Sequence, residues 1–138
     1  MKKNKLIMIA LTIIVTLTVV YGFVDGGSPQ AARNKRNDDK RIQDIQSMKN
    51  WINSYYTKNT TLPATLQEAA ASYSSSGNSK VPVDPETNNA YLYQIVTDKE
   101  YKICATFSTN TSDTTQKYMV EYEHPSGSHC LTFQGDKY

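Results

Sequence analysis

The sequence predicts an α+β fold: an N-terminal transmembrane helix, then a long amphipathic helix packed on a three- to four-stranded antiparallel sheet. Three patterns predict this arrangement. Residues 6–24 contain no charged side chain, apolar residues recur at helical spacing over 33–56, and apolar residues alternate with polar ones from residue 90 onward. A helical stripe and a sheet face that are both apolar favour two layers packed against each other.

The N-terminal segment, residues 1–24, is interpreted as a cytoplasmic tip followed by a membrane anchor. Its nineteen uncharged residues, 6–24, rise about 28 Å as a helix, against roughly 30 Å for the hydrocarbon core of a bilayer. Lys2, Lys3 and Lys5 precede this run and favour a cytoplasmic N-terminus. The alternative is a cleaved secretory signal, whose apolar region is usually shorter. The prediction is a single-pass membrane protein whose C-terminal domain lies outside, at the cell surface or in the periplasm.

Residues 25–32 are predicted to form a hinge linker, and residues 33–138 an extracytoplasmic domain. The linker is predicted because Gly26, Gly27 and Pro29 do not continue a helix cheaply.

The long helix predicted over 33–56 is the spine of the domain. Its apolar residues are spaced by three or four and share one face: Ile42, Ile45, Met48, Ile52 and Tyr55. The charged residues of the other faces are expected to be solvated; they include Asp38, Arg41 and Asp44. After this helix, Thr65 and Glu68 form a capping-box pattern, which predicts a short second helix over 65–72.

Four strands are predicted after the helices, because the apolar period changes from helical to alternating. They lie at 90–96, 101–107, 118–123 and 128–133. The first two are separated by a short polar turn and are expected to pair as a hairpin.

Charge and cysteine content narrow the function further. The chain carries a formal charge of +2, and without the three N-terminal lysines the remaining 12 basic and 13 acidic residues give −1. Nucleic-acid binding is therefore not expected, because such domains carry a basic surplus. Two cysteines, Cys104 and Cys130, suffice for one disulfide in an oxidising compartment. The alternative is two unrelated buried thiols.

The order of elements, together with several local sequences, resembles the type IV pilin-like fold, and most closely the major pseudopilins of type II secretion. The similar segments are DDKRIQDIQSMKNWINSYY, the following LP, DPETNNAYLY, YKICATF and HPSGSHC, and the resemblance as a whole covers roughly 38–133. The usual prepilin leader motif is absent, because Gly22-Phe23 follows the apolar run instead of preceding it. The resemblance implies a structural subunit that assembles with other pilin-like subunits, and a C-terminal region closed by the disulfide.

No catalytic residue, cofactor or metal ion is predicted. His124 and His129, near Glu121 and Glu123, match no zinc-binding spacing and are expected to lie in surface turns. The stretch 110–113 contains one carboxylate, whereas calcium takes six to eight oxygen ligands.

The sequence therefore predicts a non-enzymatic structural or interaction subunit. It would be anchored in the membrane through residues 6–24 and form homo- or hetero-oligomers with other pilin-like subunits. The alternative is a monomeric surface- or ligand-binding module on a pilin-like fold.

Overall fold

A computed structural model of the chain describes residues 2–25, 28–74, 80–111 and 120–136. The chain divides into two compact units, Met1–Arg33 and Asn34–Tyr138.

The first helix, α1, spans Lys2–Asp25. Within the described residues, no helix has the length and apolar character needed to cross a membrane. The predicted transmembrane anchor at 6–24 is therefore wrong, and so are the membrane contact and the single-pass localisation derived from it.

The second helix, α2, spans Pro29–Asn59 and so begins four residues before the predicted start. Ser28 caps it, since its Oγ accepts a hydrogen bond from the Ala31 N–H at 3.1 Å. Pro29 then occupies the first helical position, where a missing N–H costs nothing and the fixed φ is already helical. The proline that was expected to mark a hinge therefore starts the helix.

The third helix, α3, spans Leu66–Tyr73. Its N-terminus is the predicted capping box: Thr65 Oγ1 accepts from the Glu68 N–H at 3.2 Å. The Glu68 carboxylate in turn accepts the Ala64 N–H at 2.8 Å. The first bond satisfies a backbone donor that the first turn leaves free, and the second holds the residue before the cap.

The described sheet has three antiparallel strands in the order β1-β2-β3: β1 Leu92–Ile95, β2 Glu100–Phe107 and β3 Gly127–Gln134. The strand predicted over 118–123 is wrong where the structure describes it, because Val120–Tyr122 forms a 3₁₀ helix; residues 118 and 119 lie outside the described residues. The Tyr122 ring packs on Phe133 with centroids 5.8 Å apart. Its apolar side chain is thus buried without entering the sheet.

The core lies between α2 and one face of the sheet, as the α+β prediction requires. Ile45, Met48 and Ile52 of α2 are fully buried, and they cluster with buried residues of β2 and β3. The sheet contributes Tyr101, Ile103, Ala105, Phe107, Leu131 and Phe133.

Candidate functional site

In the second unit, Asn34–Tyr138, called the folded unit below, a dense group of charges surrounds Arg41. This residue lies four positions before Ile45 and so continues the buried stripe of α2. Its Nε and Nη2 form two hydrogen bonds with the Asp84 carboxylate, at 2.6 and 3.1 Å. Nη2 also reaches Glu86 at 2.9 Å, and Nη1 reaches Asp38 at 2.7 Å. One planar guanidinium thus holds three carboxylates.

The turn at 84–89 is folded around the same carboxylate. Asp84 Oδ1 accepts hydrogen bonds from the N–H groups of Glu86 and Thr87, at 3.0 and 2.9 Å. The Asp84 N–H donates to the Asn89 carbonyl at 2.9 Å, which closes the turn. Asn88 adopts a φ of 57°, a left-handed conformation that asparagine tolerates better than most residues. The segment DPETNN therefore forms a turn whose carboxylates bind the Arg41 side chain.

Arg41 and Asp84 both stay charged near neutral pH. Burial acts to raise the pKa of Asp84, but the hydrogen bonds from Arg41 and from the turn amides outweigh it and lower that pKa to about 2. The hydrogen bond with Asp84 raises the pKa of Arg41 further, against the opposing effect of burial. Neither group exchanges a proton near neutral pH, so the arrangement suits positioning of the turn and not acid–base catalysis.

Two acidic residues of α2, Asp38 and Asp44, also form hydrogen bonds with neighbouring segments. The Asp38 carboxylate accepts the N–H groups of Ser108 and Thr109, at 3.0 and 2.8 Å, where the chain leaves β2. Asp44 accepts the Tyr91 hydroxyl at 3.0 Å. Burial and the Asp44 charge raise the pKa of this tyrosine.

The expected solvation of this helical face is therefore wrong for three of its residues. Asp38, Arg41 and Asp44 are 3%, 1% and 4% exposed. Each is buried because a partner from the loops that flank the sheet satisfies it. The sequence carried one usable signal, because Arg41, Ile45 and Met48 follow one another at spacings of four and three on a single face.

The histidine environment also differs from the prediction. His124 is buried and stacks on Phe107, with ring centroids 3.6 Å apart and planes 13° apart. Its N–H and carbonyl both bond to Thr111, which ties the turn to the segment after β2. Burial lowers the pKa of His124. The expected surface position is therefore wrong for this residue.

Metal-binding groups of three or more His, Cys, Asp or Glu side chains are not found in the described part of the chain. In the stretch considered for calcium, Asn110 Oδ1 accepts the Ser126 N–H at 2.8 Å, and residues 112 and 113 lie outside the described residues.

The predicted disulfide between Cys104 and Cys130 is confirmed. The two residues are directly opposite in the β2–β3 register, with their Cα atoms 3.9 Å apart. Cys104 is buried, whereas Cys130 is exposed on the sheet face that turns away from α2.

A groove with a volume of about 250 Å³ opens beside this disulfide. It lies where β1 leaves β2: the ladder ends at Leu92–Cys104, and Ala90 forms a bridge with Val83 instead of continuing the β2 pairing toward Thr106. Its walls include the Asp84 carboxylate, which is already bound to Arg41. The other lining residues are uncharged: Thr87, Asn89, Ala90, Tyr91, Leu92, Cys104, Ala105, Thr106 and Ser128. The groove could hold a small neutral group that forms hydrogen bonds.

Comparisons of this chain with known protein families, with curated proteins and with solved structures find no match. Its function is therefore inferred from its own surfaces and contacts.

Proposed function

We propose that this chain is a non-enzymatic, pilin-like structural or interaction subunit of a pilus or secretion assembly. The observation that supports the proposal is the exposure of α1. Its apolar side chains are more than half exposed along the helix: Leu6 67%, Met8 70%, Leu11 56%, Ile14 57%, Leu17 63% and Val19 53%.

This exposure extends around the whole helix. Leu6, Ile7, Met8 and Ile9 are consecutive, and each is at least 55% exposed. Consecutive residues of an α-helix point about 100° apart, so four of them cover the full circumference. One flat partner surface covers a single stripe, whereas several neighbouring helices cover all sides. An exposed apolar surface of this extent marks an interaction site, and its shape fits a bundle of such helices.

The folded unit has the properties of a building block. Arg41 joins α2 to the 84–89 turn, and Asp38 joins it to the end of β2. The disulfide joins β2 to β3. These links favour a domain that keeps its shape while α1 assembles.

The test measures association of the full chain in detergent-free buffer by sedimentation velocity and by amine cross-linking. The wild-type chain is expected to give defined oligomers. Ile13→Lys places a charge on α1 and is expected to weaken association by roughly a hundredfold, since burying an unpaired lysine costs several kcal/mol. Gln43→Lys adds the same charge on an exposed position of α2 and is expected to have no effect. A wild-type chain that stays monomeric at tens of micromolar would overturn the proposal.

The groove favours a second candidate function, a monomeric ligand-binding module. Leu92→Trp would fill the groove, while Val96→Trp places the same ring at an exposed position outside its lining. Binding of a neutral glycan or peptide, lost only in Leu92→Trp, would support this candidate. Equal binding by both variants would exclude the groove as the site.

A further inference from the structure

We propose that the outer edge of β3 pairs with β3 of a second copy of this chain, antiparallel and about a two-fold axis. The inference rests on the proposed assembly function and names the surface and the partner through which the folded units associate.

The backbone hydrogen bonds fix which β3 residues face outward. The Gly135 N–H donates to the Lys99 carbonyl at 2.7 Å, so these two residues form a hydrogen-bonded pair in the β2–β3 register. In an antiparallel ladder such pairs alternate with pairs that exchange no hydrogen bonds. Every second residue of β3 therefore turns its N–H and C=O away from β2: Ser128, Cys130, Thr132 and Gln134.

The Cα distance at the disulfide agrees with this assignment. Pairs without hydrogen bonds bring their Cα atoms about 4.5 Å apart, against about 5.5 Å for hydrogen-bonded pairs. Cys104 and Cys130 lie at 3.9 Å, on the side of the shorter class.

Nothing in the described sheet pairs with these outward groups. The strand order is β1-β2-β3, so β3 is an edge strand over its eight residues. Ser128, Cys130, Thr132 and Gln134 are all exposed. A row of outward N–H and C=O groups that no described strand pairs with is a template for another strand.

The opposite edge of the sheet is built differently. Val83 bridges Ala90 next to β1, and Pro82 and Pro85 flank that bridge. Proline cannot donate to a ladder, so it discourages strand addition. β3 contains neither proline nor any Asp, Glu, Lys or Arg, the residues that proteins commonly place on edges to prevent pairing.

The absence of charge also favours a second copy as the occupant. A strand that pairs with itself brings identical side chains near each other, and like charges there would repel. With the two-fold axis at Leu131, Cys130 lies opposite Thr132 of the second copy, and Ser128 lies opposite its Gln134. Four residue pairs then form, each with two hydrogen bonds, and the paired sheets make one six-stranded sheet.

The experiment uses the full chain and measures both association and amide exchange. In the assembly, the amides of Cys130, Thr132 and Gln134 are expected to exchange at least tenfold more slowly than at a concentration where the chain is monomeric. Thr132→Pro removes one outward donor per copy while leaving the β2 ladder intact. It is expected to raise the dissociation constant of the β3 contact roughly thirtyfold. Thr132→Val keeps the N–H and the side-chain shape and is the matched control.

Thermal melts check that the proline variant is folded. If it is not, Thr132→Lys replaces it, since an edge lysine opposes pairing without changing the backbone. Unchanged association in the perturbing variant, or unprotected β3 amides in an assembly that still forms, would overturn the β3 pairing and leave the proposed function standing. A chain that never associates would overturn the proposed function itself.

Discussion

Replacing Arg41 by methionine is expected to destabilise the folded unit far more than removal of a lysine from the same helix. Methionine has a similar length and keeps the stem packed, so the change removes the charge and the hydrogen bonds and leaves little cavity. Asp84 and Asp38 would then be buried without their cation, in positions where they are 7% and 3% exposed.

The magnitude follows from the ion pairs. The pKa of Asp84 falls from 3.8 to about 2, which corresponds to roughly 2 kcal/mol in favour of the charged form at neutral pH. Arg41 supplies much of this effect and the turn amides the rest. Breaking a buried ion pair from one side generally costs about 3–5 kcal/mol. We expect Arg41→Met to lower the free energy of unfolding by about 3 kcal/mol at pH 7.

The difference in unfolding free energy between wild type and Arg41→Met should become smaller as the pH falls. Because the folded pKa of Asp84 is lower than its unfolded value, its stabilising contribution is complete above about pH 4 and is lost as the pH falls toward 2. In the variant, burial is no longer opposed by Arg41, and protonation relieves the unpaired charge. The difference between wild type and Arg41→Met is therefore expected to narrow below pH 4.

Urea unfolding followed by circular dichroism at pH 7 and pH 3 measures both effects. Lys40→Met is the matched control, since Lys40 pairs with Asp44 on the same helix but its side chain is 53% exposed. Its loss is expected to cost less than about 1 kcal/mol. If Arg41→Met costs no more than Lys40→Met, or if its deficit is the same at both pH values, the assignment of the cluster as a stabilising anchor is wrong.

Three further outcomes are expected from the folded unit. Substituting Cys104 and Cys130 together by serine should lower the free energy of unfolding by about 2–4 kcal/mol in urea titrations, because the loop between them is no longer closed; equal stability would contradict this. Gly135→Ala should lower the melting temperature, since its Cβ would lie 3.0 Å from the Tyr56 ring; an unchanged melt would show that the ring yields freely. Burial lowers the pKa of His124, so the neutral ring stabilises the fold and stability should fall as the pH drops below about 6.5. His124→Gln should remove that part of the decrease between pH 7.5 and 5.5, and an identical decrease in the variant would refute the assignment.

The periodic parts of the fold could be predicted from the sequence. The stripe of α2 and the alternation in β2 and β3 each reflect a single buried face, and a local pattern records this directly. The capping box at Thr65 and the pairing of the only two cysteines depend equally on local or countable features.

The buried ion pairs around Arg41 could not be predicted in the same way, because the paired residues are far apart in the chain. Arg41 and Asp84 are 43 positions apart, and only the fold brings them together. A charged residue at the end of an apolar stripe has the same local sequence whether it is solvated or buried with a partner. At Tyr122 a local pattern was present but misleading. Alternation around this residue predicted a strand, whereas Tyr122 lies in a 3₁₀ helix and is buried because its ring packs on Phe133.

The pairing of Cys104 with Cys130 also sets the covalent connectivity of the domain. All residues between them belong to one closed ring that includes the second half of β2 and the start of β3. A protease that cuts once anywhere within this ring leaves a single covalent molecule. Such a nicked chain would keep its mass, apart from one added water, and would separate into two fragments only after the disulfide is reduced.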